Sequence, residues 1–125
     1  MAVVGTVAAT NVIERMHQGY RDTARTQIGV FKGALEEYAR FCNRYPTSDQ
    51  GLEALVAKPT SGPECNNYPA GGIMKDGKIP KDPWGKDYVY TSEDGKTFLI
   101  TSYARDGKEG GDKGTSDEDV RSDNL

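Results

Sequence analysis

A single histidine, two cysteines and one tryptophan among 125 residues leave little of the side-chain chemistry on which catalysis usually rests. His17 stands alone, so no His-Glu-x-x-His zinc helix can form, and the chain has neither a Gly-x-Ser-x-Gly elbow nor a phosphate-cradling glycine loop. Acidic pairs on a glycine-rich loop without a cleft make poor general acids or bases, so enzymatic activity is not expected. Positive charge is also short: 16 Lys and Arg against 19 Asp and Glu give a net charge of -3, with the basic residues scattered. That removes the electrostatic footprint needed for nucleic acid. A long apolar run is missing too. The opening stretch from Met1 ends near Ala9, about half of the ~20 residues that a bilayer-spanning helix needs, and no charged leader or small-residue cleavage site marks a cleavable signal. The cysteines lack Cys-x-x-Cys spacing and lie far from His17, which argues against zinc and for an oxidising compartment. Cys42 and Cys65 are either bonded to each other or packed as two small buried hydrophobes.

What is present is a helical stripe. Ile13, Met16, Tyr20, Ala24, Ile28, Phe31, Leu35, Tyr38 and Cys42 recur at steps of three or four, close to the helical period, while Glu14, Arg15, Arg21, Arg25, Lys32, Glu36 and Arg40 are expected on a solvated face. His17 is expected as an ordinary polar-face residue. Gly19, Gly29 and Gly33 weaken intrinsic helicity, so packing must hold this helix. Residues 1–24 are read as a projecting stem and 25–125 as the globular body. Tyr45-Pro46 ends the helix, because proline lacks an amide donor and disfavours helical geometry before it. Thr47 and Gln50 read as a capping box opening a short second helix to about Ala57, stopped by Lys58-Pro59. A loop follows from Thr60 to Gly72. Between Met74 and Lys81, Asp76-Gly77 allows a short strand pair or an extended crossing. Asp82-Pro83-Trp84-Gly85 makes a fixed turn that places the tryptophan at the core edge. Tyr88–Thr91 and Thr97–Ser102 alternate strand-forming residues around a Ser92–Lys96 turn, which predicts an antiparallel hairpin. The fold class is α+β, a long N-terminal helix packed on a small antiparallel sheet.

Several pieces in one order carry a resemblance: Tyr45-Pro46, Gln50-Gly51-Leu52-Glu53-Ala54-Leu55, Lys58-Pro59, Asn67-Tyr68-Pro69-Ala70-Gly71-Gly72, Pro80-Lys81-Asp82-Pro83-Trp84-Gly85-Lys86-Asp87-Tyr88, and the glycine-rich Asp106–Gly111. From roughly Thr10 to Val120 the chain resembles the major pseudopilins of type II secretion, members of the type IV pilin-like superfamily. The resemblance implies a filament subunit of the inner membrane and periplasm of a Gram-negative bacterium, with a methylated amino terminus. It would polymerise through its N-terminal helix with itself, other pseudopilins and inner-membrane components to drive export of folded proteins across the outer membrane. A minor type IV pilin or a tip adhesin is the alternative. Pseudopilins begin with a phenylalanine-led apolar helix carrying an early glutamate. Since this chain starts differently, its membrane-anchoring end is expected to be missing. The Cys42 and Cys65 pair also departs from many relatives, as does Val120-Arg121-Ser122-Asp123 in place of Ile-Gly-Asn-Trp.

The tail from Asp106 to Asp123 has only Val120 as an apolar residue, and by composition it reads as a disordered acidic segment. Its acids are grouped, however, around flexible glycines, an arrangement that suits the six to eight oxygens calcium requires without being an EF-hand. The resemblance implies a structural calcium site here. By position it assigns Tyr103 and Ser116 as carbonyl donors, Asp106 and Asp119 as carboxylate ligands, and Asp117 in preference to Glu118 as the remaining carboxylate.

Overall fold

The computed structural model describes residues 2–110 and 118–124. A 41-residue helix, α1 (Ala2–Cys42), spans about 60 Å at the standard helical rise. Its predicted stripe divides in two. Ala24, Ile28, Phe31 and Leu35 are fully buried (0% exposed), whereas Ile13 and Met16 are 48% and 44% exposed. One face of one helix therefore serves as the core of the body and, farther toward the amino terminus, as apolar surface.

The core face lies over a three-stranded antiparallel sheet in the order β1 (Val89–Thr91), β2 (Leu99–Ser102), β3 (Val120–Arg121). The predicted hairpin forms, with Val89 opposite Thr101 and Thr91 opposite Leu99. Its turn is built on Gly95, whose φ of 71° suits a residue without a side chain, and a Cβ there would come within 2.5 Å of the Arg44 guanidinium. Tyr45 N–H donates to the Gly95 carbonyl (2.9 Å), tying the hairpin to the chain leaving α1. Phe31 meets Tyr88 edge-on at 5.1 Å. The Tyr88 hydroxyl donates to Gln27 Oε1 and that of Tyr90 to the Pro46 carbonyl. Burial raises the pKa of both phenols, which keeps them protonated as donors.

β3 has no counterpart in the sequence reading. It pairs Thr101 with Arg121 and Ser102 with Val120, and the Ser122 hydroxyl accepts Ile100 N–H (3.0 Å). One apolar residue suffices because the strand adds at the edge of an existing ladder, where main-chain bonds supply the pairing.

The second helix differs from expectation. Thr47 N–H donates to Gln50 Oε1 (2.9 Å) and Gln50 N–H to Thr47 Oγ1 (3.1 Å), so the capping box exists. It closes a turn only. Gly51, at φ 64° and ψ -170°, turns the chain, and Leu52–Leu55 make a single 3₁₀ turn that buries Leu52, Ala54 and Leu55. Gln50 is spent on the following loop, where its Nε2 donates to the carbonyls of Ser61 (2.8 Å) and Pro63 (3.0 Å). From Met74 to Lys81 the chain crosses without strand pairing, held where Ile73 and Met74 N–H both donate to the Leu55 carbonyl (2.9 and 2.8 Å).

Candidate functional site

Two regions distinguish this body: the root of the exposed helix, and the C-terminal segment bound to it. At the root sits the Asp-Pro-Trp-Gly turn. Asp82 is buried and accepts the amides of Trp84 (3.1 Å) and Lys86 (2.8 Å) on Oδ1, and the Ser102 hydroxyl (2.8 Å) on Oδ2. Each contact satisfies a donor that would otherwise lose its solvation, so the carboxylate fastens the turn to β2. Trp84 is thereby held against α1, where its indole N–H donates to His17 Nδ1 (3.1 Å). Its ring stacks on His17 and meets Tyr20 edge-on at 5.7 Å. His17 is thus a packing partner of the tryptophan and no free polar-face residue. Periodicity missed this because the contact comes from a turn 67 positions away.

Arg21 is the second correction. Assigned to a solvated face, it is 8% exposed, with Nη1 donating to the Glu118 carbonyl and Nη2 lying 3.9 Å from the Glu118 carboxylate. Desolvation and then Arg25 lower its pKa, while Glu118, Asp119 and Asp22 act in the opposite sense. The C-terminal segment covers this residue.

That segment closes a loop. Asp119 N–H donates to the Gly110 carbonyl (3.1 Å) and Gly110 N–H donates to Asp119 Oδ2 (2.9 Å), while Oδ1 is buried. Tyr103, Glu109 and Asp119 line one small cavity of about 130 Å³. Ala104–Asp106 form a 3₁₀ turn preceded by Tyr103, which brings Asp106 within a few residues of the same ladder end. Among the described residues no three His, Cys, Asp or Glu side chains form a metal-binding group. Ser116 and Asp117, assigned from sequence as ligands, lie outside the described residues. Away from this loop, Cys42 and Cys65 are joined as a disulfide with a Cα–Cα distance of 4.9 Å.

The family model for type II secretion system (T2SS) protein G matches residues 11–122. This chain belongs to the type II secretion system protein G family. Type II secretion system core protein G of Vibrio cholerae is 40% identical over 113 residues, covering 90% of this chain and 75% of its own length. The core protein G of Pseudomonas aeruginosa is 36% identical over 118 residues, covering 94% and 82%. The crystal structure of the major pseudopilin from the type 2 secretion system of enterohaemorrhagic Escherichia coli matches with a TM-score of 0.75 at 33% identity, covering 92% of this chain and 96% of that one.

As a protein G family member the chain has the pseudopilin architecture expected from its motifs, a long helix on a small antiparallel sheet. The family motifs have identifiable tasks in it. The Gln-Gly-Leu segment makes the turn under the loop, and the Asp-Pro-Trp-Gly turn braces the helix root. Among the described residues no helix is long and apolar enough to cross a membrane.

Proposed function

We propose that this chain is a structural subunit of a type II secretion pseudopilus that stacks through its amino-terminal helix. Growth of the filament then drives export of folded proteins across the outer membrane. The observation that carries the reading is the exposed apolar continuation of α1 at Ile13 and Met16, on the same stripe that is buried from Ala24 onward. Apolar surface left in water is stabilised by burial at about 25 cal/mol per Å², and copies of the same stripe provide a matching partner. The stem in this reading is α1 ahead of His17, and the body takes over where His17 and Tyr20 pack with Trp84. The setting is the inner membrane and periplasm of a Gram-negative bacterium, the partners other copies, other pseudopilins and inner-membrane components. In this reading the chain is a building block with no catalytic step of its own. Deleting its gene in the source bacterium is expected to leave type II cargo in the periplasm, with re-expression restoring export. Normal export from the deletion strain, or filaments lacking this chain, would refute the assignment. A full-length chain that forms no long filaments by itself would favour the minor-pilin or tip-adhesin alternative.

We also propose a structural calcium ion at the C-terminal loop, held by Asp106, Asp117 and Asp119 with the carbonyls of Tyr103 and Ser116. What supports it is the buried Oδ1 of Asp119, beside a cavity shared with Tyr103. When bound, the ion supplies positive charge that draws the acidic loop together. Its binding free energy then becomes folding free energy of that segment. Chelation is expected to lower the melting temperature and expose the segment after Asp106 to protease, with magnesium restoring neither. An unchanged melting curve and cleavage pattern would remove the ion from the account.

A further inference from the structure

We propose that His17 and Trp84 form a proton-operated latch between α1 and the Asp-Pro-Trp-Gly turn, closed while the imidazole is neutral and opened when it takes up a proton. The chain has one histidine and one tryptophan, and the fold bonds them to each other across 67 positions. An indole N–H can only donate. At 3.1 Å from Trp84 Nε1, His17 Nδ1 is therefore the acceptor, which requires a lone pair there and the ring proton on Nε2. A proton taken from solvent onto Nδ1 makes both ring nitrogens donors, sets two N–H groups against each other and leaves the indole without its acceptor. Ring centroids 6.5 Å apart keep the imidazole beyond the reach of about 6 Å within which an indole face attracts a cation, so stacking does not offset the lost bond. Imidazole is the side chain whose ordinary titration lies between about pH 5 and pH 8, the range in which such a bond can be switched.

Other charged groups surround the pair without sharing its bond. On α1, Glu14 lies one turn before His17 and Arg21 one turn after it, and Tyr20 meets both rings edge-on. The turn carries Asp82, whose carboxylate already accepts three donors, and Lys86, whose Cε would lie 3.7 Å from a Cβ at Gly107. The C-terminal segment brings Glu118, bonded to Arg21, and Asp119, bonded to Gly110. Of all these groups, the imidazole is the one bonded to the indole N–H. Its position gives that bond a consequence. Among the described side chains from Val12 onward, those of residues 12–16 are exposed and His17 is the first to be partly covered. Tyr20, edge-on to the same indole at 5.7 Å, and Arg21 beneath Glu118 hold the helix one turn farther on. Opening the latch thus leaves the body folded and lengthens the free stem by one turn of about 5 Å.

Because each partner is the only residue of its kind, one NMR titration of the whole chain follows both. From about pH 8 to about pH 5 the Trp84 indole N–H resonance is expected to move through one transition, at the midpoint read from His17 Cε1–H. The amides of residues 13–20, referred to unstructured rates at each pH, are expected to exchange about two- to tenfold faster at the acid end, the factor that one hydrogen bond supplies. His17→Asn places an amide oxygen near the position of Nδ1, an acceptor that does not titrate, and is expected to keep the closed indole resonance and slow exchange throughout. His17→Phe has no acceptor and is expected to show the open values throughout. An imidazole that stays neutral down to about pH 5, or an indole resonance that stands still while His17 titrates, would overturn the latch. So would unchanged exchange at 13–20, or the same transition in His17→Asn, which would assign the change to another group.

Discussion

Phe31→Ala is expected to destabilise the body by about 3–5 kcal/mol, the range for truncating a buried aromatic side chain. Phe31 is fully buried where α1 crosses the sheet, and its ring packs edge-on against Tyr88 at 5.1 Å. The neighbours cannot collapse into the space easily. On one side is helix backbone, and on the other Tyr88 is held by its bond to Gln27. Small domains carry roughly 5–15 kcal/mol in total, so much of the stability would be gone. Urea unfolding with an unchanged slope and a lower midpoint is the expected signature. A loss below about 1 kcal/mol would show that the helix–sheet contact is not what holds the body together.

Reducing the Cys42–Cys65 bond is expected to be the next largest perturbation. The bond joins the last residue of α1 to an irregular loop, across a sequence separation of 23. A closed loop of that size restrains the unfolded chain by about 3 kcal/mol on the loop-entropy model. For a domain of this size that corresponds to a fall of about 10–20 °C in melting temperature. Thermal melts with and without reductant, repeated on the Cys42→Ser, Cys65→Ser double variant, measure it directly. A shift of only a few degrees would mean that Gln50, which donates to the carbonyls of Ser61 and Pro63, already holds the loop unaided.

These two sites differ in how far they were legible beforehand. Phe31 was readable as core because the 3.6-residue period constrains it whatever the partner is. Spacing leaves the cysteine pair open between a bond and two thiols, because it says nothing about whether two Cα atoms come within bonding reach. Thr47 and Gln50 formed their reciprocal capping bonds, yet the helix they announced did not propagate. A local motif can close one turn, but continuation was decided by Gly51 and by the loop that claimed the Gln50 amide.

The candidate site shows the same division. Acidic and glycine composition marked the tail as a possible ion loop, and Asp119 does sit where the loop closes on Gly110. His17 and Arg21 were assigned to a solvated face because periodicity counts polar residues as outward-facing. It cannot register an element that arrives from 67 or 97 positions away to cover them.

Sequence alone determined the helix, its apolar stripe, the hairpin and the family, since each rests on local spacing or on motifs read in order. Tertiary structure alone decided that the stripe is core from Ala24 onward and surface at Ile13 and Met16, that β3 completes the sheet, and that Arg21 lies beneath Glu118. The reason is physical: local preference is set by a residue's near neighbours along the chain, whereas burial and buried-charge pairing depend on which distant segment comes to lie on top.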